Sequence, residues 1–216
     1  MEQCASLLLV RGRPMLNLKE AAETYRALLN FAEIFGNDHP VGLEVGCGNG
    51  GFILELARRN PEVNYLAVEI CTNVVLTAME RIRREGIQNV RFLNIPAETL
   101  PCYIPEGSIR KIYLNFSTPL PAANCEKQRL TSARFLAIYR SLLVEGGEIS
   151  QKTDSEPFFD YSLESYRSCG YEVLLETRDL HKSAYAAGNI VTEYEANFLK
   201  QGKPIYMCLV RKHVEK

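Results

Sequence analysis

Val41-Gly42-Leu43-Glu44-Val45-Gly46-Cys47-Gly48-Asn49-Gly50-Gly51-Phe52 is the stretch on which the reading of this chain turns. Val41 to Val45 is a short apolar run, as expected of a buried strand. Gly46, Gly48, Gly50 and Gly51 follow it. Glycine lets a backbone turn sharply and approach a ligand closely. A helix then fits Phe52 to Arg58. Working outward, Asn64 to Ile70, Val90 to Ile95, Arg110 to Phe116 and Glu148 to Lys152 read as further strands. Between them, Thr72 can cap a helix through Arg84, and another fits Thr131 to Leu143. Ser155 and Pro157 open a third. Gly86, Gly146-Gly147 and Gly170 stop these helices. Upstream, Leu18 to Phe35 reads as one helix, with an Asn17/Glu20 capping box and Gly36 at its end. Late strands cover Tyr171 to Arg178 and Pro204 to Lys212, with a short helix over Glu193 to Leu199.

Strands alternating with helices imply right-handed βαβ units and a mostly parallel sheet. The long excursion before the final strand fits an antiparallel last strand. In such sheets a ligand sits at the carboxyl ends of the strands, here after Val45, Ile70, Ile95, Phe116 and Lys152. The 216 residues suit one well-buried domain. Hydrophobic residues make up 46% and charged residues 24%, which excludes bulk disorder. The net charge of −1 means that any nucleic-acid surface is a local patch. The seven cysteines are odd in number, widely spaced and without a CxxC, which points to reduced thiols and away from a disulfide framework or zinc site. The apolar run near the start is too short for a signal core or a membrane span. The expectation is a soluble, cytoplasmic protein without metal or membrane, a monomer or homodimer.

Gly46, Gly48 and Gly51 satisfy GxGxxG, so a dinucleotide must be considered. Two carboxylates discriminate. A phosphate-binding turn gains nothing from Glu44, because its ligand is already negative. S-adenosylmethionine carries an ammonium and a sulfonium and no phosphate, so an acid beside the turn is electrostatically sensible. Glu69, at the end of the second strand, can accept ribose hydroxyls and fits either cofactor. Glu44 and the Gly46-x-Gly48-x-Gly50 spacing favour S-adenosylmethionine. Glu44 could also cap nearby backbone amides.

A set of stretches running in order from about residue 35 to 210 resembles the bacterial tRNA (guanine-N7-)-methyltransferases. They are Phe35-Gly36-Asn37-Asp38-His39-Pro40, Leu43 to Phe52, Tyr65 to Ile70, Asn89 to Asn94, Tyr113 to Ser117 and Glu126 to Thr131. The later ones are Lys152-Thr153-Asp154, Asp179-Leu180-His181, Thr192-Glu193-Tyr194-Glu195 and Gly202 to Tyr206. The resemblance implies an α/β, Rossmann-like class I methyltransferase fold with helices on both faces. Residues 1–36 would form an N-terminal arm and helix, and 37–216 a single domain. It implies methyl transfer from S-adenosylmethionine to N7 of a variable-loop guanosine in tRNA. It places Glu44, Gly46, Cys47, Gly48, Glu69, Ile70, Pro96, Ala97 and Asn115 at the cofactor, with Pro96 and Ala97 against the adenine. Asp154, Lys152, Thr192, Glu193, Tyr194 and Glu195 would hold the guanosine. Without the resemblance, Glu193 and Glu195 read as acids at a helix start, and Asp154 as a helix N-cap.

After Asn115-Phe116-Ser117 the family usually has an aspartate, Pro-Trp-Pro and a basic cluster. Here Thr118 takes the aspartate position and is the catalytic candidate, and Leu120 replaces the tryptophan. Uncharged Ala122, Ala123, Asn124 and Cys125 replace the basic cluster, and Pro96 stands where an aspartate is usual. Two alternatives follow: a related methyltransferase with another substrate, or a catalytically weakened cofactor-binding paralogue. Guanine N7 carries an in-plane lone pair and needs no deprotonation. Loss of an acid therefore predicts a slower enzyme, since alignment does most of the work. Phosphate contacts would come from Arg11, Arg13, Lys127, Arg129, Arg134, Lys152, Lys182 and Lys203. Arg81, Arg83 and Arg84 read as a solvated helix face. Cys47 reads as a small space-filling residue rather than a nucleophile.

Overall fold

A computed structural model describes residue 4 and residues 6–11 and 28–213. Eight strands form one sheet: β1 (Leu8–Arg11), β2 (Val41–Val45), β3 (Asn64–Val68), β4 (Val90–Asn94), β5 (Ile109–Asn115), β6 (Leu143–Thr153), β7 (Tyr171–Thr177) and β8 (Tyr206–Lys212). Six α-helices are described: α1 (Phe31–Phe35), α2 (Gly51–Arg59), α3 (Thr72–Arg84), α4 (Ala133–Leu142), α5 (Glu156–Ser168) and α6 (Glu193–Lys200). The strand order is β1-β4-β3-β2-β5-β6-β8-β7. All pairs are parallel except β6–β8 and β7–β8, so the last strand is antiparallel to both neighbours.

The order reverses at β2, which lies between β3 and β5. A crevice opens there because the following connections leave on opposite faces. Leu43, Val45, Leu66, Ile112 and Leu114 pack on one face against Phe135, Tyr139 and Phe159 of α4 and α5. On the other face Tyr65, Ala67, Val90 and Phe92 pack against Ile53, Ala57, Val75, Met79 and Ile82 of α2 and α3. β2 and β3 are buried throughout, which explains why they read as continuous apolar runs.

Several expectations change. β1, read only as an apolar run, is an edge strand pairing with β4. The helix expected over Leu18 to Phe35 is not continuous. The Asn17/Glu20 capping box lies outside the described residues, and Leu28 to Asn30 are not helical. The Leu29 N–H donates to the Tyr103 carbonyl at 2.8 Å, and Asn30 caps α1 afresh. Gly36 closes α1 in the left-handed region. Gly146-Gly147 does not break the chain before β6. It lies inside the strand, where Gly146 at φ 69° accommodates an irregular register against β5. The N-cap of α3 is Cys71, not Thr72, whose hydroxyl instead donates to Asn94 Oδ1 at 2.9 Å. No helix among the described residues is long and apolar enough to cross a membrane.

Candidate active site

The carboxyl ends of β2, β3 and β5, together with the start of α6, enclose a cavity of about 410 Å³. The glycine turn forms its floor. Gly46, Gly48 and Gly50 all take positive φ, and the Gly46 and Cys47 N–H groups both donate to the Val68 carbonyl. Gly50 is required twice over: its φ is 76°, and a Cβ there would lie 2.8 Å from that of Ala78. Glu69 is tied to the same turn. Its two oxygens accept from the N–H of Gly48 at 3.2 Å and of Cys71 at 2.9 Å. Asn94, on the next strand, donates to the Glu69 and Ile70 carbonyls and sets the path of the chain after β3.

Glu44 is 2% exposed. Oε1 accepts from Asn115 Nδ2 at 3.1 Å, while Oε2 is buried without a partner. Burial pushes its carboxyl up to about 8, against the lowering effect of Asn115 and Lys152. A buried oxygen without a partner is costly unless a ligand supplies the missing donor. The alternative reading of Glu44 as a cap for local backbone amides does not hold among the described contacts. Burial also pushes the Cys47 thiol well up, consistent with a packing role.

The tetrad after residue 191 divides. Thr192 and Glu195 form a capping box on α6 and both are buried, but Thr192 still borders the cavity and Glu195 does not. Glu195 accepts from the ammonium of Lys152 at 2.7 Å, and Lys152 also donates to Asn189 Oδ1 and the Ile190 carbonyl. These three bonds use all the donors of an ammonium. His181 Nε2 lies 2.8 Å from Glu195 Oε1. Lys152 is 3% exposed and cannot reach a phosphate, contrary to its inclusion among the RNA-facing cations. Burial lowers its pKa, opposed by Glu195. Glu193 and Tyr194, the exposed middle pair, line the cavity beside Thr192.

Glu193 is held by Arg81 of α3, so Arg81 is not simply part of a solvated face. This pair bridges over Gly51, whose absent side chain leaves it room. Asp154 lies outside the cavity lining, 3.9 Å from Lys203, and the N-cap of α5 is its neighbour Ser155. Pro96 and Ala97 begin a short 3-10 turn after β4, also outside the lining. Ile70, Asn115 and Thr118 line it. Among the remaining expected cations, Lys182 pairs with Asp179 and Arg134 approaches Glu98. Arg129 donates to the Leu120 carbonyl. Arg13 lies outside the described residues.

Sequence reasoning missed the strain in the loop after β5. Phe116 and Leu120 are non-glycine residues at φ 52° and 46°. Each costs about 1–3 kcal/mol and persists only where the surroundings hold it. Phe116 packs its ring against Tyr194 and Phe198 of α6. Ser117 Oγ is buried without a partner, and Thr118 beside it is exposed. The Pro119-Leu120-Pro121 run was the available signal, because each proline removes backbone freedom.

A family model described as "Putative methyltransferase" matches residues 38–208. The tRNA (guanine-N(7)-)-methyltransferase of Geobacillus sp. (strain WCH70) is 44% identical over 209 residues, covering 94% of each chain. The chain belongs to this family of tRNA (guanine-N(7)-)-methyltransferases. The family member from Bacillus subtilis (strain 168) is 43% identical over 82% of this chain and 83% of its own. Among solved structures, an antibiotic-related methyltransferase superposes with a TM-score of 0.65 at 17% identity, covering 94% of this chain and 97% of that one. The 16S rRNA methyltransferase KamB superposes at 0.63 and 16% identity, covering 87% and 95%. Those two likenesses establish the fold as that of class I methyltransferases. Family membership is thus carried by sequence, even though Thr118 replaces the aspartate expected in this family.

Proposed function

We propose that this chain transfers a methyl group from S-adenosylmethionine to N7 of a variable-loop guanosine in tRNA, in the cytoplasm. The observation that carries the reading is the 44% identity to a tRNA (guanine-N(7)-)-methyltransferase across 94% of both chains. The residues of the cavity fit the cofactor. S-adenosylmethionine supplies an electrophilic methyl group on a sulfonium and an ammonium at its amino-acid end. Glu44 Oε2, buried and unpartnered, would accept from that ammonium. Glu69 keeps lone pairs for ribose hydroxyls after accepting its two backbone N–H groups. Ile70, 67% exposed at the rim, offers an apolar face to the adenine, with Pro96 and Ala97 beyond it.

Glu193 and Tyr194 are the exposed part of the tetrad at the cavity and would be the part that meets guanosine. A carboxylate there can accept from the Watson–Crick edge of a base taken out of its stack. Thr192, Glu195 and Lys152 would serve the same end indirectly, by fixing the start of α6. Asp154 would act from the adjacent strand end. No residue need remove a proton, because N7 attacks with its own lone pair. The chain's task is to exclude water and align the reacting atoms. Thr118 would keep one neutral hydrogen bond where the family has a charged one.

The test is radiolabelled methyl transfer to unmodified tRNA, with nucleoside analysis of the product. N7-methylguanosine is expected. Thr118→Asp should raise the rate about tenfold, since a hydrogen bond to a charged group outweighs a neutral one by about 1–1.5 kcal/mol. Label entering a small molecule but not tRNA would overturn the substrate assignment.

A further inference from the structure

The segment Phe116 to Leu120 carries Ser117 and Thr118 to the cavity wall and is bounded by two residues in the left-handed region. Leu120 also precedes Pro121, whose ring crowds the backbone before it. The local chain therefore opposes this shape, and something outside the loop must hold it. At the near end, the Phe116 N–H donates to the Lys152 carbonyl at 2.8 Å, an extension of the β5–β6 ladder. At the far end, Arg129 Nε donates to the Leu120 carbonyl at 3.1 Å. The guanidinium of Arg129 lies over the ring of Tyr161, 4.3 Å from its centroid, and Tyr161 sits on α5. Arg129 is thus half-buried and gripped by the body of the domain while it grips the loop.

We propose that Arg129 is a positioning residue that holds the Phe116–Leu120 loop in its active shape, rather than a cation that contacts tRNA phosphate. The chemistry of the side chain supports this. Its plane stacks on an aromatic ring while the edge donates a directed hydrogen bond. A lysine keeps the charge but has neither the plane nor the Nε–H. A phosphate contact depends on charge and survives that replacement in large part, whereas a positioning contact depends on shape and does not. The inference rests on the reading that Thr118 faces the reacting groups.

The test compares the wild type, Arg129→Lys, and Arg129→Lys combined with Leu120→Gly. Wild-type transfer to tRNA is measured first. Three readouts follow: the single-turnover rate at saturating tRNA, the salt dependence of tRNA binding, and amide hydrogen exchange in residues 116–122. For Arg129→Lys the rate should fall about tenfold. Exchange in the loop should quicken, and the slope of binding against salt should stay unchanged. Leu120→Gly removes the penalty for positive φ and should recover part of the lost rate. The proposal is overturned if Arg129→Lys leaves the rate and the loop exchange unchanged, the result that a contact to phosphate depending on charge alone predicts. It is also overturned if the glycine restores nothing. A wild type inactive on tRNA would sink the functional reading alone, and the exchange comparison would still decide the role of Arg129.

Discussion

Glu195→Ala is expected to cost about 3–5 kcal/mol of folding stability, because it strands the buried ammonium of Lys152. Glu195 is fully buried, and it is the carboxylate 2.7 Å from that ammonium. The same change removes the reciprocal half of the α6 capping box and the acceptor for Asn189 Nδ2. For a chain of this size the loss corresponds to roughly 10 °C in melting temperature. Urea unfolding checks it, read as a lower midpoint at unchanged slope. Adding Lys152→Met should recover part of the loss, since the penalty comes from an unpaired charge rather than from a missing attraction. Glu193→Ala is the contrast. Its pair with Arg81 is half-exposed, so the stability change should stay within about 1 kcal/mol. Equal losses for the two glutamates would show that the division between a buried, charge-pairing Glu195 and a cavity-facing Glu193 is wrong.

Glu44→Gln should make the free protein more stable at alkaline pH and cofactor binding much weaker. Burial raises the Glu44 carboxyl to about 8 from an ordinary 4.5. Below the ordinary value, folded and unfolded chains are both protonated there and nothing is lost. Between the two values the folded protein holds a proton that the unfolded chain has released, so stability falls as pH rises towards 8. The loss is of the order of a few kcal/mol, and glutamine removes it. Binding runs the other way. An ammonium is matched by the ionised carboxylate, so Glu44 would release a proton when the cofactor enters. Wild-type affinity should therefore rise with pH between about 6 and 8, by up to tenfold per unit. In the variant the affinity should be on the order of a hundredfold lower and nearly independent of pH. Calorimetry in two buffers of different ionisation heat measures both the affinity and the proton. Unchanged affinity in the variant, with no proton released by the wild type, would remove Glu44 from the cofactor site.

Much of the active-site cavity was legible from residue order. The strand, the glycine turn and the acid at the end of the next strand are local in sequence, and their geometry follows from local chemistry. Gly46, Gly48 and Gly50 take positive φ because glycine can, and Glu44 and Glu69 lie where strand ends put them. The helix signals held where the chemistry is local, as at Ser155 and in the short helix that begins at Glu193. They failed at Leu28 to Asn30, where a hydrogen bond to Tyr103 competes with the helix, and at Gly146-Gly147, where pairing with β5 carries the strand through.

The apolar periodicity, the glycine spacing and the family stretches by themselves determined the sheet, the position of the cavity and the kind of chemistry. Only the tertiary structure decided which of the polar residues face that cavity. Glu195 is two residues from Glu193, yet it is turned inward, because Lys152 of a distant strand must have its charge matched, while Thr192, Glu193 and Tyr194 border the cavity. From sequence, Arg81 read as part of a solvated helix face and Arg129 as a phosphate contact. Their different partners, Glu193 on α6 and the Leu120 carbonyl, follow from chain segments brought together by folding, and spacing along the sequence does not encode them.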